Sequence, residues 1–243
     1  MDYVAAGEGP PVFYFHGGGD APSSRPVETF DARVISVARC GPAVPGRTLR
    51  SWAADVVALA DELGLGRFGV IGWSAGGPHA LAVAAFAPDR VDRVSLVASM
   101  PPHDVVSMVR RDVHVSVMTA KRSLRLATAM LESWGRRPTA ALPDPAHSAA
   151  YARGRVESFT SGGRWLAQEL AYLGRPWGFE LSDVRAPVTI WWGDRDTICP
   201  PSIAHEYERR LPSATLKLVA DGHSILFSRW REILADATPQ TRP

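Results

Sequence analysis

Cysteine is scarce in this chain: Cys40 and Cys199 are the only two in 243 residues, and they lie far apart with no metal or redox spacing. That excludes a disulfide framework, and both read as reduced thiols. Lysine is nearly absent as well, limited to Lys121 and Lys217, so the basic side is almost entirely arginine. Net charge is small: 27 Lys+Arg stand against 25 Asp+Glu, for +2 overall. Neither a nucleic acid nor an anionic membrane is therefore expected as a partner, despite a pI near 8.7. Long apolar runs are missing, and no segment approaches the roughly 18 residues that span a bilayer. Residues 1–9 show no basic stretch followed by an apolar run. No membrane association is expected, and the expected location is cytoplasmic. His103, His114, His147 and His205 share no ligand spacing, so neither a metal nor another cofactor is expected.

What is present is ordinary globular material, 46% hydrophobic and 21% charged, in a chain long enough for one large α/β core with an insert. Val12-Phe13-Tyr14-Phe15, bounded by Pro10-Pro11 and Gly17-Gly18-Gly19, is too short for a helix and reads as a buried strand. Residues 33–37, 68–71 and 94–97 read likewise, with a Gly/Pro-rich loop at 40–46. Between them, Leu49, Trp52, Ala53, Val56, Val57, Ala60 and Leu63 recur at helical steps until Gly64 and Gly66. A second helix is expected over 75–86, where Pro78 sits in the first turn and costs nothing. This alternation predicts a mostly parallel central sheet with helices on both faces.

Residues 103–180 break the rhythm, with helical patterns over 104–134, 146–159 and 164–173 and a break at 138–145. They read as a helical cap insert, which divides the core into 1–102 and 181–243. Its arginines, among them Arg110, Arg111, Arg136, Arg137, Arg153 and Arg155, read mostly as a solvated face. Alternation then resumes with a strand at 188–192, a helix at 200–211, a strand at 215–219 and a last helix, and the tail from Thr238 is expected to fray.

Three strand ends carry chemistry. Val70-Ile71-Gly72-Trp73-Ser74-Ala75-Gly76-Gly77 is a strand, a tight turn and a helix start, which holds a serine hydroxyl exposed. A serine hydroxyl needs a base to take its proton and an anionic group to fix that base. The later strand ends offer Asp196 and His223, with Asp194 and Asp221 as alternatives for the acid. In a parallel sheet these ends share one edge. The N–H of Ala75 and that of Gly18, with Gly17 beside it, are the candidate donors to an oxyanion. Trp73 and Met100 are candidate pocket residues, His16 a hydrogen-bonding support of the glycine loop, and His79 a packing residue.

In that chain order, His16-Gly17-Gly18-Gly19, the Ser74 turn, Gly193-Asp194-Arg195-Asp196 and Gly222-His223 resemble the α/β-hydrolase superfamily. The resemblance covers nearly everything outside the insert, where Arg175-Pro176-Trp177-Gly178-Phe179 alone is family-like. It implies Ser74 as nucleophile, Asp196 as acid and His223 as base. Two departures stand out: residues 2–9 can supply only the last strand of the usual N-terminal hairpin, and Arg39-Cys40-Gly41-Pro42 replaces a glycine-rich turn. The triple glycine is also superficially similar to hormone-sensitive-lipase-like esterases, although the insert fits the capped subgroup better. The expected activity is hydrolysis of a small or medium carboxylic ester, lactone or thioester through an acyl-enzyme. Carbon–carbon bond hydrolysis, acyl transfer and non-hydrolytic binding or lyase chemistry are the alternatives. The sequence leaves the oligomeric state open.

Overall fold

The computed structural model describes residues 1–39, 43–139 and 142–240. Cys40, the turn at Cys40-Gly41-Pro42 and part of the expected break at 138–145 therefore lie outside the described residues. Seven strands, β1 (Tyr3–Ala6), β2 (Pro11–Phe15), β3 (Arg33–Val37), β4 (Phe68–Trp73), β5 (Val91–Val97), β6 (Val188–Gly193) and β7 (Ala214–Val219), form one sheet. Their order is β1-β3-β2-β4-β5-β6-β7, with β1 antiparallel to β3 and every other pair parallel. Residues 2–9 thus contribute a single edge strand.

Period-two alternation sorts the side chains of this sheet into two apolar layers. Phe13, Phe15, Ile35, Val37 and Val70 pack toward α1 (Leu49–Glu62) and α2 (Gly76–Phe86), while Val12, Tyr14, Val34, Ile71 and Trp73 face the other way. Helix α1 starts at a Thr48 cap whose hydroxyl accepts the Ser51 N–H. It stops where Gly64 turns to φ +67° and lets the Leu65 N–H reach the Ala60 carbonyl at 2.8 Å.

Between β5 and β6 lie a 3₁₀ segment (His103–Met108), α3 (Arg111–Arg122), α4 (Leu124–Gly135), α5 (Pro145–Ser158) and α6 (Arg164–Leu173). The continuous helical character expected over 104–134 is thus split. Extended backbone at Arg110 and Ser123 makes the breaks, and Ser123 caps α4 by accepting the Leu126 N–H. Helix α7 (Ser202–Arg210) joins β6 to β7. The expected last helix is two pieces, α8 (Ile225–Ser228) and α9 (Trp230–Ala237), separated at Arg229. Of the tail expected to fray from Thr238, residues 241–243 lie outside the described residues, and Thr238 itself is held. Its N–H and its hydroxyl both donate to the Leu234 carbonyl, at 2.9 and 2.7 Å, and Ala237 packs on Gly69 of β4. Among the described residues no helix is long and apolar enough to cross a membrane.

Candidate active site

Strand β4 ends one residue before Ser74, whose φ of +54° lies in the left-handed region that non-glycine residues rarely adopt. The turn is this tight because its glycines have no room for a side chain. A Cβ on Gly76 would lie 2.1 Å from the Phe15 carbonyl oxygen, and one on Gly72 2.6 Å from that of Gly76. Backbone bonds then lock the turn: the Ser74 N–H donates to Val97 at 3.0 Å, and the Ser74 carbonyl accepts from Gly77 at 3.0 Å and Met100 at 2.9 Å.

The loops after β6 and β7 bring Asp196 and His223 to this serine. Asp196 Oδ2 lies 2.8 Å from His223 Nδ1, and His223 Nε2 lies 3.0 Å from Ser74 Oγ. A carboxylate only accepts, so the imidazole proton sits on Nδ1 and Nε2 is left to accept the Ser74 O–H. The other oxygen of Asp196 takes the Ile198 and Cys199 N–H groups at 2.8 and 2.9 Å, which fixes a carboxylate only 3% exposed. Asp194 instead accepts the Asp221 N–H and pairs with Arg195, while Asp221 accepts from Gly222 N–H and the Ser228 hydroxyl. Neither is bonded to His223. The Trp73 indole N–H donates to the His223 carbonyl at 3.1 Å and steadies that loop.

Gly17, Gly18 and Ala75 meet on the other side of Ser74, where a Cβ on Gly18 would sit 3.3 Å from that of Ala75. With Trp73, Ser74, Met100 and His223 they line one cavity of about 680 Å³, a size typical of small-molecule sites. Met130, Leu131, Trp134, Leu166, Leu170 and Ile198 supply apolar wall, and the exposed Arg110, Arg111 and Arg137 stand around it. Arg110 is already committed to Asp112, with which it makes two bonds at 2.7 and 2.9 Å.

Asp20 is absent from the expectations above, and Arg155 departs from them. Asp20, next in sequence to the three glycines, is 1% exposed, and its Oδ1 has no hydrogen-bond partner among the described residues. Burial pushes its carboxyl up to about 7, against the opposing pull of Arg155 and Arg39. Its place directly after the glycines at a strand end was the available signal. Arg155, expected with Arg153 on a solvated face, is instead buried, with its guanidinium 3.6 Å above the Trp134 ring. Arg153 is exposed as expected. His16 donates from Nδ1 to the Gly17 carbonyl at 2.9 Å, and burial together with the Arg39 cation holds its pKa well below the usual value. His79 is buried behind the Ser74 turn. Among the described residues no group of three or more His, Cys, Asp or Glu is arranged to hold a metal ion.

A family model described as alpha/beta hydrolase fold matches residues 10–229. This chain belongs to the alpha/beta hydrolase family. A curated relative of this α/β hydrolase is the dihydrolipoyllysine-residue acetyltransferase component of an acetoin cleaving system from Cupriavidus necator. The two are 30% identical over 183 residues, which is 75% of this chain and 48% of that protein. The chain therefore spans about half the length of that relative. Among solved structures, an esterase from Exiguobacterium antarcticum superposes with a TM-score of 0.71 at 19% identity, covering 96% of this chain and 92% of the other. An enol-lactonase from Burkholderia xenovorans LB400 does so with 0.71 at 19%, covering 96% and 93%. At such identities these likenesses establish the fold alone.

Proposed function

We propose that this α/β hydrolase is a serine hydrolase of small or medium carboxylic esters, lactones or thioesters. Ser74 is the nucleophile, His223 the general base and Asp196 the group that orients and charge-balances the imidazole. The hydrogen-bonded series Ser74–His223–Asp196 on the wall of the 680 Å³ cavity carries this reading. His223 Nε2 takes the Ser74 proton as Oγ attacks the carbonyl carbon, and the resulting imidazolium is stabilised by Asp196. The oxyanion is received by the N–H groups of Gly18 and Ala75, neither of which has an acceptor among the described residues. His223 then returns the proton to the leaving group, and water activated by the same imidazole releases the acid. Trp73 and Met100 help to shape the pocket, and residues 103–180 act as its cap. The apolar wall suits an acyl chain of a few carbons.

The chemistry up to the acyl-enzyme is shared with acyl transfer, which differs only in the nucleophile that takes the acyl group. A fluorophosphonate probe and a panel of p-nitrophenyl esters and thioesters test the reading. The wild type is expected to take one label on Ser74 and to turn over part of the panel, and Ser74→Ala to do neither. Absence of labelling together with absence of Ser74-dependent turnover overturns it, and added alcohol or thiol acceptors separate transfer from hydrolysis.

A further inference from the structure

A trans peptide points its C=O and its N–H in opposite directions, so whatever holds the carbonyl also aims the N–H. For the Ser74–Ala75 peptide the holding groups are backbone: the Ser74 carbonyl accepts from the Gly77 and Met100 N–H groups, and the Ala75 N–H faces the other way. For the Gly17–Gly18 peptide they are side chains. The Gly17 carbonyl accepts from His16 Nδ1 at 2.9 Å and from Arg39 Nη2 at 3.2 Å. Arg39 also spans to the His16 carbonyl through Nη1, at 2.5 Å. Its remaining face is taken by Glu169 of α6, with Nε donating to Oε1 at 2.7 Å, and both side chains are 2% exposed.

The same face of α6 also reaches the carbonyl of Ala75, one peptide beyond the one that carries the Ala75 N–H. Tyr172, one helical turn beyond Glu169, lies with its hydroxyl 2.8 Å from His79 Nε2, and His79 Nδ1 lies 2.8 Å from the Ala75 carbonyl. A carbonyl only accepts, so Nδ1 carries the proton and the tyrosine donates to Nε2. Burial and the Arg39 cation keep His79 neutral, which suits that tautomer.

We propose that Arg39 and Glu169 are positioning residues for the oxyanion hole: α6 holds the guanidinium, the guanidinium holds the Gly17 carbonyl, and the Gly18 N–H is thereby aimed at the oxyanion. The inference rests on the serine-hydrolase reading. A guanidinium can bond a carboxylate and two carbonyls at once through its planar fork, whereas an ammonium keeps the charge without that geometry. Arg39→Lys therefore leaves Glu169 with a buried counter-charge while the Gly17 carbonyl keeps only its bond from His16. Glu169→Gln keeps an acceptor for Nε but weakens the charged bond that orients Arg39.

The experiment is steady-state hydrolysis of p-nitrophenyl butyrate, with phenylboronic acid as an inhibitor whose serine adduct places an oxygen in the hole. Folding of each variant is checked by circular dichroism. Removing an oxyanion donor costs about 10² to 10³ in turnover, so mis-aiming one is expected to lower kcat by roughly 10- to 100-fold. Arg39→Lys should show that loss with KM within about threefold and boronic acid affinity weakened in parallel, and Glu169→Gln a smaller loss of the same pattern. If either folded variant keeps kcat within about threefold of wild type, or changes KM alone, the proposal is overturned. Should Arg39→Lys fail to fold, Glu169→Gln decides by the same criterion. A wild type without Ser74-dependent turnover would instead reject the underlying hydrolase reading, so the two failures are distinct.

Discussion

Replacing Asp196 by asparagine separates geometry from charge, because the two side chains have the same shape. The amide oxygen can keep the Ile198 and Cys199 N–H groups that Asp196 Oδ1 now accepts at 2.8 and 2.9 Å. That leaves the NH₂ facing His223 Nδ1, which the carboxylate now contacts at 2.8 Å. Two donors cannot face each other, so Nδ1 must become the acceptor and the imidazole proton must move to Nε2. There it meets Ser74 Oγ, 3.0 Å away, as a donor, and it can no longer accept the serine proton. For serine triads this tautomer exchange lowers kcat by about 10⁴, which at 1.36 kcal/mol per decade is about 5.4 kcal/mol of transition-state stabilisation. Stability should barely change, because volume and backbone bonds persist; a loss of about 1 kcal/mol would move Tm by roughly 2–4 °C. The assay is p-nitrophenyl butyrate hydrolysis by Asp196→Asn beside Asp194→Asn and Asp221→Asn. The last two should stay within about threefold of wild type, since neither aspartate touches His223. An Asp196→Asn enzyme that retains about a tenth of wild-type kcat, or an equal fall in Asp194→Asn, refutes the assignment.

Asp20 makes a pH-dependent prediction. Its carboxyl titrates near 7 in the folded protein against 3.8 in the free residue, so the folded state holds the proton more tightly. The stability it contributes is complete below pH 3.8 and lost as pH rises through about 7, by on the order of 4 kcal/mol at most. Asp20→Asn removes that dependence, so in urea unfolding its advantage over wild type should grow from pH 5 to pH 8; an equal difference at both values refutes the argument. Gly76→Ala forces a Cβ to within 2.1 Å of the Phe15 carbonyl oxygen. It should cost about 3 kcal/mol or more, a fall in Tm of roughly 6–12 °C by calorimetry, and an unchanged Tm would show that the turn can relax.

The sheet was legible in the sequence because buried parallel strands are written as short unbroken apolar runs. Val12-Phe13-Tyr14-Phe15 and Val188-Thr189-Ile190-Trp191-Trp192 both sit in strands at their expected places. Ser74, Asp196 and His223 are brought together because the residues after parallel strands share one edge, a consequence of local pattern and topology. Strand β1 was the faintest of the seven, since Tyr3, Val4 and Ala5 are exposed on the edge and carry no burial pattern. Readings failed where a partner is remote. Nothing near Arg155 announces that it stacks on Trp134, and only the ring of that tryptophan, 21 residues earlier on α4, turns an apparent surface arginine into a buried one. The same holds for Glu169, whose partner Arg39 lies 130 residues earlier. Ser123 is not legible as a cap because the apolar periodicity on either side runs through it, although its N–H closes one helix on the Thr119 carbonyl and its hydroxyl begins the next.

The helices between β5 and β6 meet the cavity in two different ways, and that difference can be measured. Met130 of α4 faces the space through dispersion contacts alone, which reward any apolar group of suitable length. Helix α6 adds Leu166 and Leu170 to the same wall, but its Glu169 is tied by charge to Arg39, which in turn bonds the Gly17 carbonyl. Met130→Ala should therefore change which acyl chains are accepted. Each extra methylene buried in the vacated space is worth about 0.8 kcal/mol, or roughly a fourfold rise in kcat/KM. The optimum in a p-nitrophenyl acetate-to-octanoate series should move toward longer chains, while the rate on acetate, which does not reach that wall, stays near wild type. Glu169→Gln should lower kcat by the same factor along the whole series, because every ester develops the same oxyanion. A Met130→Ala profile that overlays wild type, or a Glu169→Gln deficit confined to long chains, would show that wall and hole are not separable in this way.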